Sequence, residues 1–198
     1  MIDLLPSPTQ FSHPSRLHGQ SHVGRVMVHA FRLLEATGLI EESSRLWASV
    51  YLHDLARTHD GPCHEHGADA VTLWHESTEL TNLLVSRRVE QDDEEGIERA
   101  LTLHCLPNDR EPSPDDPDFL LVALLKDADG LDRVRLGDLD PIYLRLPETL
   151  EMLDFADELF RKTDGRIPEG DRHFPFLLHA AGRIAGKPVV VPEGLVGD

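Results

Sequence analysis

The run over residues 118 to about 134 is the most apolar helical pattern in the chain, and it carries a carboxylate in its apolar stripe. Leu120, Ala123, Leu124, Asp127 and Leu131 recur at three- and four-residue spacing, as on a helix face turned to a core. Burying an ionised carboxylate without partners costs several kcal/mol even after relaxation, so Asp127 demands a cation, a metal or a set of donors. Any fold open to this chain must bring one of these to it.

Helical periodicity continues on both sides. Ser21 can cap a run in which Val23, Val26, Met27, Ala30, Phe31, Leu33 and Leu34 form one face and Gly38 supplies a stop. Further helices are expected over about 41–56, from near His64 through Trp74, and over 80–89, 92–106, 147–161 and 171–185. Asp60-Gly61-Pro62 marks a turn, and the proline-rich stretch over 106–118 is a loop inside one domain. Strand signals are sparse. The expectation is an all-α, single-domain helical bundle over 17–186, with 1–16 an extended lead-in and 187–198 a short apolar tail that packs or forms a strand.

Nineteen basic against 36 acidic residues leave a net charge of −17, which repels the phosphate backbone that supplies most affinity for long nucleic acids. A single nucleotide held by a metal and a few arginines stays open. No basic start followed by an apolar run opens the chain, and no stretch approaches membrane-spanning length. A soluble, cytoplasmic protein with no membrane partner is therefore expected. Cys63 and Cys105 read as free thiols. Each neighbours a histidine, which admits a soft metal site, although incidental buried cysteine is the preferred reading.

His22, the His53-Asp54 pair, His64, His66, His104 and Asp127 stand at the ends or on the inner faces of separate predicted helices. Imidazoles and carboxylates, with no thiolate required, suit a divalent metal ion such as Mn, Fe, Co, Ni, Zn or Mg. Helices of a bundle can aim such groups into one interior pocket.

These residues resemble those of the HD-domain metal-dependent phosphohydrolase superfamily, whose motif is a histidine, then His-Asp, then a distant aspartate. The match is His22 in HGQSHVGRV, His53-Asp54 in YLHDLAR and Asp127 in LLKDADGLDRV, within a motif-bearing core over 18–135. The resemblance implies a bundle of the HD-domain type in which His22, His53, Asp54 and Asp127 bind one metal. Some members hold a second metal through histidines of the intervening helices, and His66 and His104 occupy suitable places. Where such members often have paired histidines, this chain has His104-Cys105. One firmly bound ion is thus expected, with His66 and His104 facing the substrate or a weaker second ion.

The activity so implied is hydrolysis of a phosphate ester of a nucleotide or other small phosphorylated metabolite by a metal-bound water. Arg57, three residues after the motif aspartate, stays protonated and can grip a phosphate oxygen, with Lys126 assisting. Arg25, in HxxR spacing after His22, is expected to pair with Asp54 or another acid behind the ligands. His66, His64, His104 and His18 are candidates to protonate the leaving group. Asp129 and Asp132 read as solvated acids, or as groups that orient a histidine, and His29 and His173 receive no role. Two other uses of such a scaffold are a di-iron oxygenase, which needs both metals, and a non-catalytic regulatory module with a structural metal. Residues beyond about 136, including Tyr143, Arg145, Arg161 and Arg172-His173, read equally as a pocket wall or a dimer face.

Overall fold

The computed structural model describes residues 4–110 and 112–195, without the side chain of residue 109; the extreme ends of the expected lead-in and tail lie outside it. Among the described residues the architecture is all-helical, with nine α-helices joined by loops and short 3-10 turns and no strand. No helix among them is long and apolar enough to cross a membrane.

Helix α1 (Gln20–Thr37) is the spine, packing on α2 (Ser43–Leu52), α6 (Phe119–Leu131) and α9 (His173–Ala185). Val23, Val26, Met27, Ala30 and Leu33 are wholly buried along it. The helix starts earlier than expected, with Gly19 in the N-cap position, so Ser21 lies inside the first turn instead of capping. Gly38 ends it as expected: at φ 75° it enters the left-handed region and donates its N–H to the Leu34 carbonyl at 3.0 Å.

A second layer consists of α3 (His66–Glu76), α4 (Thr78–Ser86) and α5 (Glu94–His104), with α5 seated on α2, α3 and α6. The contact between α3 and α5 is close at Gly67, where a Cβ would stand 2.1 Å from the Leu101 carbonyl oxygen. Only glycine admits that approach, and it brings His66, its neighbour, to the end of α5.

The expected helix over 147–161 is divided into α7 (Pro147–Leu150) and α8 (Leu153–Thr163), with α8 packed against α9. The break follows from a tether at α7. Asp127 on α6 accepts from the Leu146 N–H at 2.9 Å and the Thr149 hydroxyl at 2.7 Å, so this short helix is held to α6, and α8 begins after a turn at 151–152. Both ends of the described chain lie on the core. Trp47 Nε1 donates to the Leu4 carbonyl at 3.1 Å, and Leu195 is wholly buried near α2 in a 3-10 turn, not a strand.

Candidate metal centre and its pocket

The His53-Asp54 pair sits where α2 comes apart. The helix ends at Leu52, short of the expected position near 56, and the N–H groups of Leu55 and Arg57 close tight turns on the Leu52 and Asp54 carbonyls at 3.0 and 3.3 Å. Both side chains thereby remain buried and face α1, where His22 is wholly buried one turn into the helix.

Each of four imidazoles is anchored through Nδ1. His53 Nδ1 donates to the Val50 carbonyl at 2.8 Å, His66 Nδ1 to the Cys63 carbonyl at 3.0 Å, His104 Nδ1 to the Leu101 carbonyl and His22 Nδ1 to Asp132 Oδ2 at 2.8 Å. Carbonyl and carboxylate oxygens accept only, so the proton is on Nδ1 in every ring and the neutral ring presents a lone pair at Nε2. The Nε2 atoms are aimed at one another: His22 and His53 at 3.3 Å, and His66 and His104 at 2.9 Å. Two acceptors so placed repel unless a proton or another cation lies between them.

The carboxylates complete the arrangement. His22 Nε2 is 3.2 Å from Asp129 Oδ1 and 3.4 Å from Asp54 Oδ2, and His53 Nε2 is 3.6 Å from the same Asp54 oxygen. Donors about 2.0–2.2 Å from one tetrahedral ion stand roughly 3.3–3.6 Å apart, so these separations are of the size a divalent ion needs, and the donor atoms gather in two overlapping groups, His22, His53 and Asp129, and His18, His22 and Asp54. The other Asp54 oxygen, Oδ1, is 3.3 Å from His66 Nε2 and thus turns toward the His66/His104 pair. Cys105 Sγ also lies near that pair, as a free and half-buried thiol.

Charge is focused on the same point. Burial and the Arg135 charge depress the basicity of His22, yet its hydrogen bonds with Asp129, Asp132 and Asp54 outweigh them and raise its pKa to about 9. Burial would raise the Asp54 and Asp129 carboxyls, but His53, His18, His22 and His66 around Asp54, and His22, His53 and Arg135 around Asp129, hold both well below the usual carboxylate range. Burial is also the leading influence on His53, whose pKa is lowered, and on His104, lowered to about 3. The carboxylates therefore stay ionised, His53 and His104 are disposed to be neutral, and His22 holds a proton between the two carboxylates that a metal ion would have to displace.

Asp127, expected as the fourth ligand, does not join this group; the carboxylate that stands with His22 and His53 is Asp129. Two residues along a helix is a rotation of about 200°, so the two carboxylates leave α6 on opposite sides. Asp127 meets the Arg145 N–H at 2.9 Å, the N–H of Leu146, the hydroxyl of Thr149 and the Arg145 guanidinium at 3.1 Å. Of the three partners that its burial could demand, it has a set of donors and an organic cation. Asp129, read as a solvated acid, is partly exposed but turns its oxygen onto His22. Its i,i+3 relation to Asp132 was the available signal, since both lie off the apolar stripe.

A cavity of about 490 Å³ opens on the centre, lined by Asp54, Asp129, His18, His66 and His104 at its floor. Arg57, Lys126, Arg133, Arg135 and Arg145 bring positive charge to its walls, and Leu136, Leu139, Tyr143 and Leu144 an apolar lip. Tyr143 and Arg145 are thus pocket wall; Arg161 and the Arg172-His173 pair are not among the lining residues. Arg57 differs from expectation in detail. Its Nε donates to Asp54 Oδ1 at 2.8 Å and its Nη1 to the Gly61 carbonyl at 3.2 Å, so it holds a ligand carboxylate as well as facing the cavity. Lys126 donates to the Leu106 and Leu103 carbonyls at 2.8 and 3.3 Å, bracing the end of α5. Arg25 pairs with Asp132, not Asp54. His18 Nδ1 is 3.1 Å from Asp54 Oδ2, and the exposed His64 binds the Cys105 carbonyl through Nδ1 at 3.0 Å.

Comparison with known proteins adds no relative: no family model, no curated protein and no solved structure matches the chain.

Proposed function

We propose that this protein is a metal-dependent phosphohydrolase of the HD-domain type, acting on a phosphate ester of a nucleotide or another small phosphorylated metabolite. The single observation that carries the reading is the gathering of four histidines, aimed through Nε2, around the ionised Asp54 and Asp129, with Asp54, Asp129, His66 and His104 opening on a cavity lined also by five cationic side chains and by Asp138 and Asp140. The order of His22, His53-Asp54 and an aspartate of the DAD segment accords with it.

His22, His53, Asp54 and Asp129 would hold one ion, and His66, His104 and the second oxygen of Asp54 a further one. A divalent ion there supplies a Lewis acid that polarises a phosphoryl oxygen and lowers the pKa of a coordinated water. The chain's own residues do the rest. Arg57 keeps Asp54 oriented and presents charge to the cavity. Arg135, 3.4 Å from His18 Nδ1, extends the cationic wall toward the floor. His18, backed by Asp54 and opening on the cavity, is the histidine best placed to pass a proton to a leaving group. The apolar lip of Tyr143, Leu136, Leu139 and Leu144 suits a substrate with a ring beyond its phosphate.

The Asp54 carboxylate between two imidazole pairs favours a second reading, a di-iron oxygenase, since that chemistry needs two neighbouring ions. Metal analysis of the purified protein, followed by phosphate release from a panel of nucleotides with added Mn, Co or Mg, separates the two. Phosphate release that depends on the metal is the expected result. Two irons per chain and oxygen consumption with an organic substrate, without phosphate release, would replace the hydrolase by the oxygenase.

A further inference from the structure

Asp132 is wholly buried at the point where α6 passes into a 3-10 turn (Asp132–Leu136), and its carboxylate serves groups from three directions. Oδ2 accepts the His22 Nδ1 proton at 2.8 Å, and both oxygens are held by Arg25, with Nη2 at 3.0 Å from Oδ2 and Nε on Oδ1. Arg135 stands behind it, Nη1 at 3.6 Å from Oδ2 and 3.1 Å from the Asp132 carbonyl. Arg25, itself buried, lies over the Phe160 ring of α8 at 5.2 Å. A chain of contacts thus runs from α8 through Arg25 and Asp132 to Nδ1 of His22, whose opposite nitrogen faces Asp54 and Asp129.

We infer that Asp132 is a positioning residue for the metal centre, fixing His22 with its proton on Nδ1 and its Nε2 lone pair toward the ion, and that Arg25 and Phe160 hold Asp132 in that pose. The inference rests on the metal-centre part of the proposed function and is indifferent to the reaction. Its physical basis is the difference between the two sides of an imidazole. A ring whose Nδ1–H meets a fixed acceptor has one orientation and one tautomer, and its other nitrogen is more basic toward a metal. A neutral ring without that acceptor is free to place its proton on Nε2, where it blocks the ion. Arg25 adds a second requirement, because it occupies both oxygens as a donor. In Asp132→Asn one of the two oxygens becomes an N–H2 donor. At the Oδ2 position it meets His22 Nδ1, which must then accept and carry its proton on Nε2; at the Oδ1 position it opposes Arg25 Nε–H and loosens the clamp that holds the acceptor of His22. The substitution changes almost no volume, so its effect is one of hydrogen-bond polarity.

The experiment measures divalent-ion affinity, by calorimetry or chelator competition with Zn and Mn, for the wild type, Asp132→Asn, His22→Ala and the double variant, with the thermal midpoint of each metal-free form alongside. Asp132→Asn is expected to weaken binding about 10- to 100-fold. The double variant is expected to bind no more weakly than His22→Ala alone, because Asp132 acts only through His22. An Asp132→Asn affinity within twofold of wild type overturns the inference. So does an equal loss in the presence and absence of the His22 ring, which would mark Asp132 as a generic structural group. Should Asp132→Asn fail to fold, Arg25→Gln tests the same contact from behind: a loss of affinity that vanishes in the His22→Ala background supports the role, and an unchanged affinity overturns it. Absence of metal binding by the wild type would instead bring down the metal-centre reading itself, and this inference with it.

Discussion

Asp127 and Asp129 are two residues apart on α6 and the protein treats them in opposite ways. At the joint between α6 and α7, Asp127 is surrounded by donors: two backbone N–H groups, a hydroxyl and a guanidinium. At the candidate metal centre, Asp129 meets His22 Nε2, which also faces a second histidine and a second carboxylate. The first environment is complete in itself, since every lone pair meets a proton. The second is made of acceptors and becomes favourable only with an added positive charge, which is why His22 holds its proton up to a pKa of about 9. A buried carboxylate thus signals structure or function according to what surrounds it, and burial alone does not distinguish them.

The sharpest way to break this contrast is to truncate each aspartate in turn. Asp129→Ala should abolish tight binding of the first ion, seen in equilibrium dialysis, while the metal-free fold stays within about 1 kcal/mol of wild type. Asp127→Ala should do the reverse. Stripping several buried donors of their acceptor costs roughly 3–5 kcal/mol, read by urea unfolding, and protein that still folds should bind metal. If Asp127→Ala loses the metal while retaining its stability, the two roles have been exchanged.

The same contrast recurs between His22 and His29, one and three turns into α1 and both wholly buried. His29 packs edge-on against Phe155, neither ring nitrogen has a hydrogen-bond partner among the described residues, and burial foremost lowers its pKa to about 4. A group whose folded pKa is depressed below its unfolded value near 6.5 takes up its proton first in the unfolded chain. Stability is therefore full above about pH 6.5 and declines as pH falls toward 4, by roughly 3 kcal/mol at one pKa unit per 1.4 kcal/mol. In His29→Leu this part of the acid sensitivity should vanish from denaturation curves taken between pH 7 and 4. An unchanged slope would show that another group, such as His173, also lowered to about 4 chiefly by burial, carries the effect.

The smallest expected change is at Arg57. It contributes one hydrogen bond to Asp54 Oδ1 and two to loop carbonyls, so Arg57→Ala should weaken metal binding by no more than about tenfold, equivalent to about 1.4 kcal/mol. Phosphate release, if the hydrolase reading holds, should fall further than affinity does. Equal losses in the two measurements would confine Arg57 to orienting Asp54.

Most of the helices were legible in the sequence because a helix writes its buried face into its own three- and four-residue spacing. The spacing over 118–134 located α6, and the stop at Gly38 marked the end of α1. Boundaries failed where a distant contact intervened. The run over 147–161 reads as one helix until Asp127, some twenty residues earlier, fixes Leu146 and Thr149 and divides it. His22, His53 and Asp54 were likewise legible as a group, because each stands at a helix end or on an inner face. Arg135 was not, since its value lies in the Asp132 and His18 that it reaches across the fold.

By itself the sequence determined that the chain forms a helical bundle, that it buries imidazoles and carboxylates together, and that Asp127 requires a partner. These follow from local periodicity and from the cost of desolvating charge, which no arrangement of the helices can remove. Tertiary structure alone decided which aspartate faces the histidines. The rotation of α6 about its axis is set by packing on α1, α2 and α5. Two residues of phase on that helix separate a carboxylate that holds the fold together from one that faces the histidine cluster.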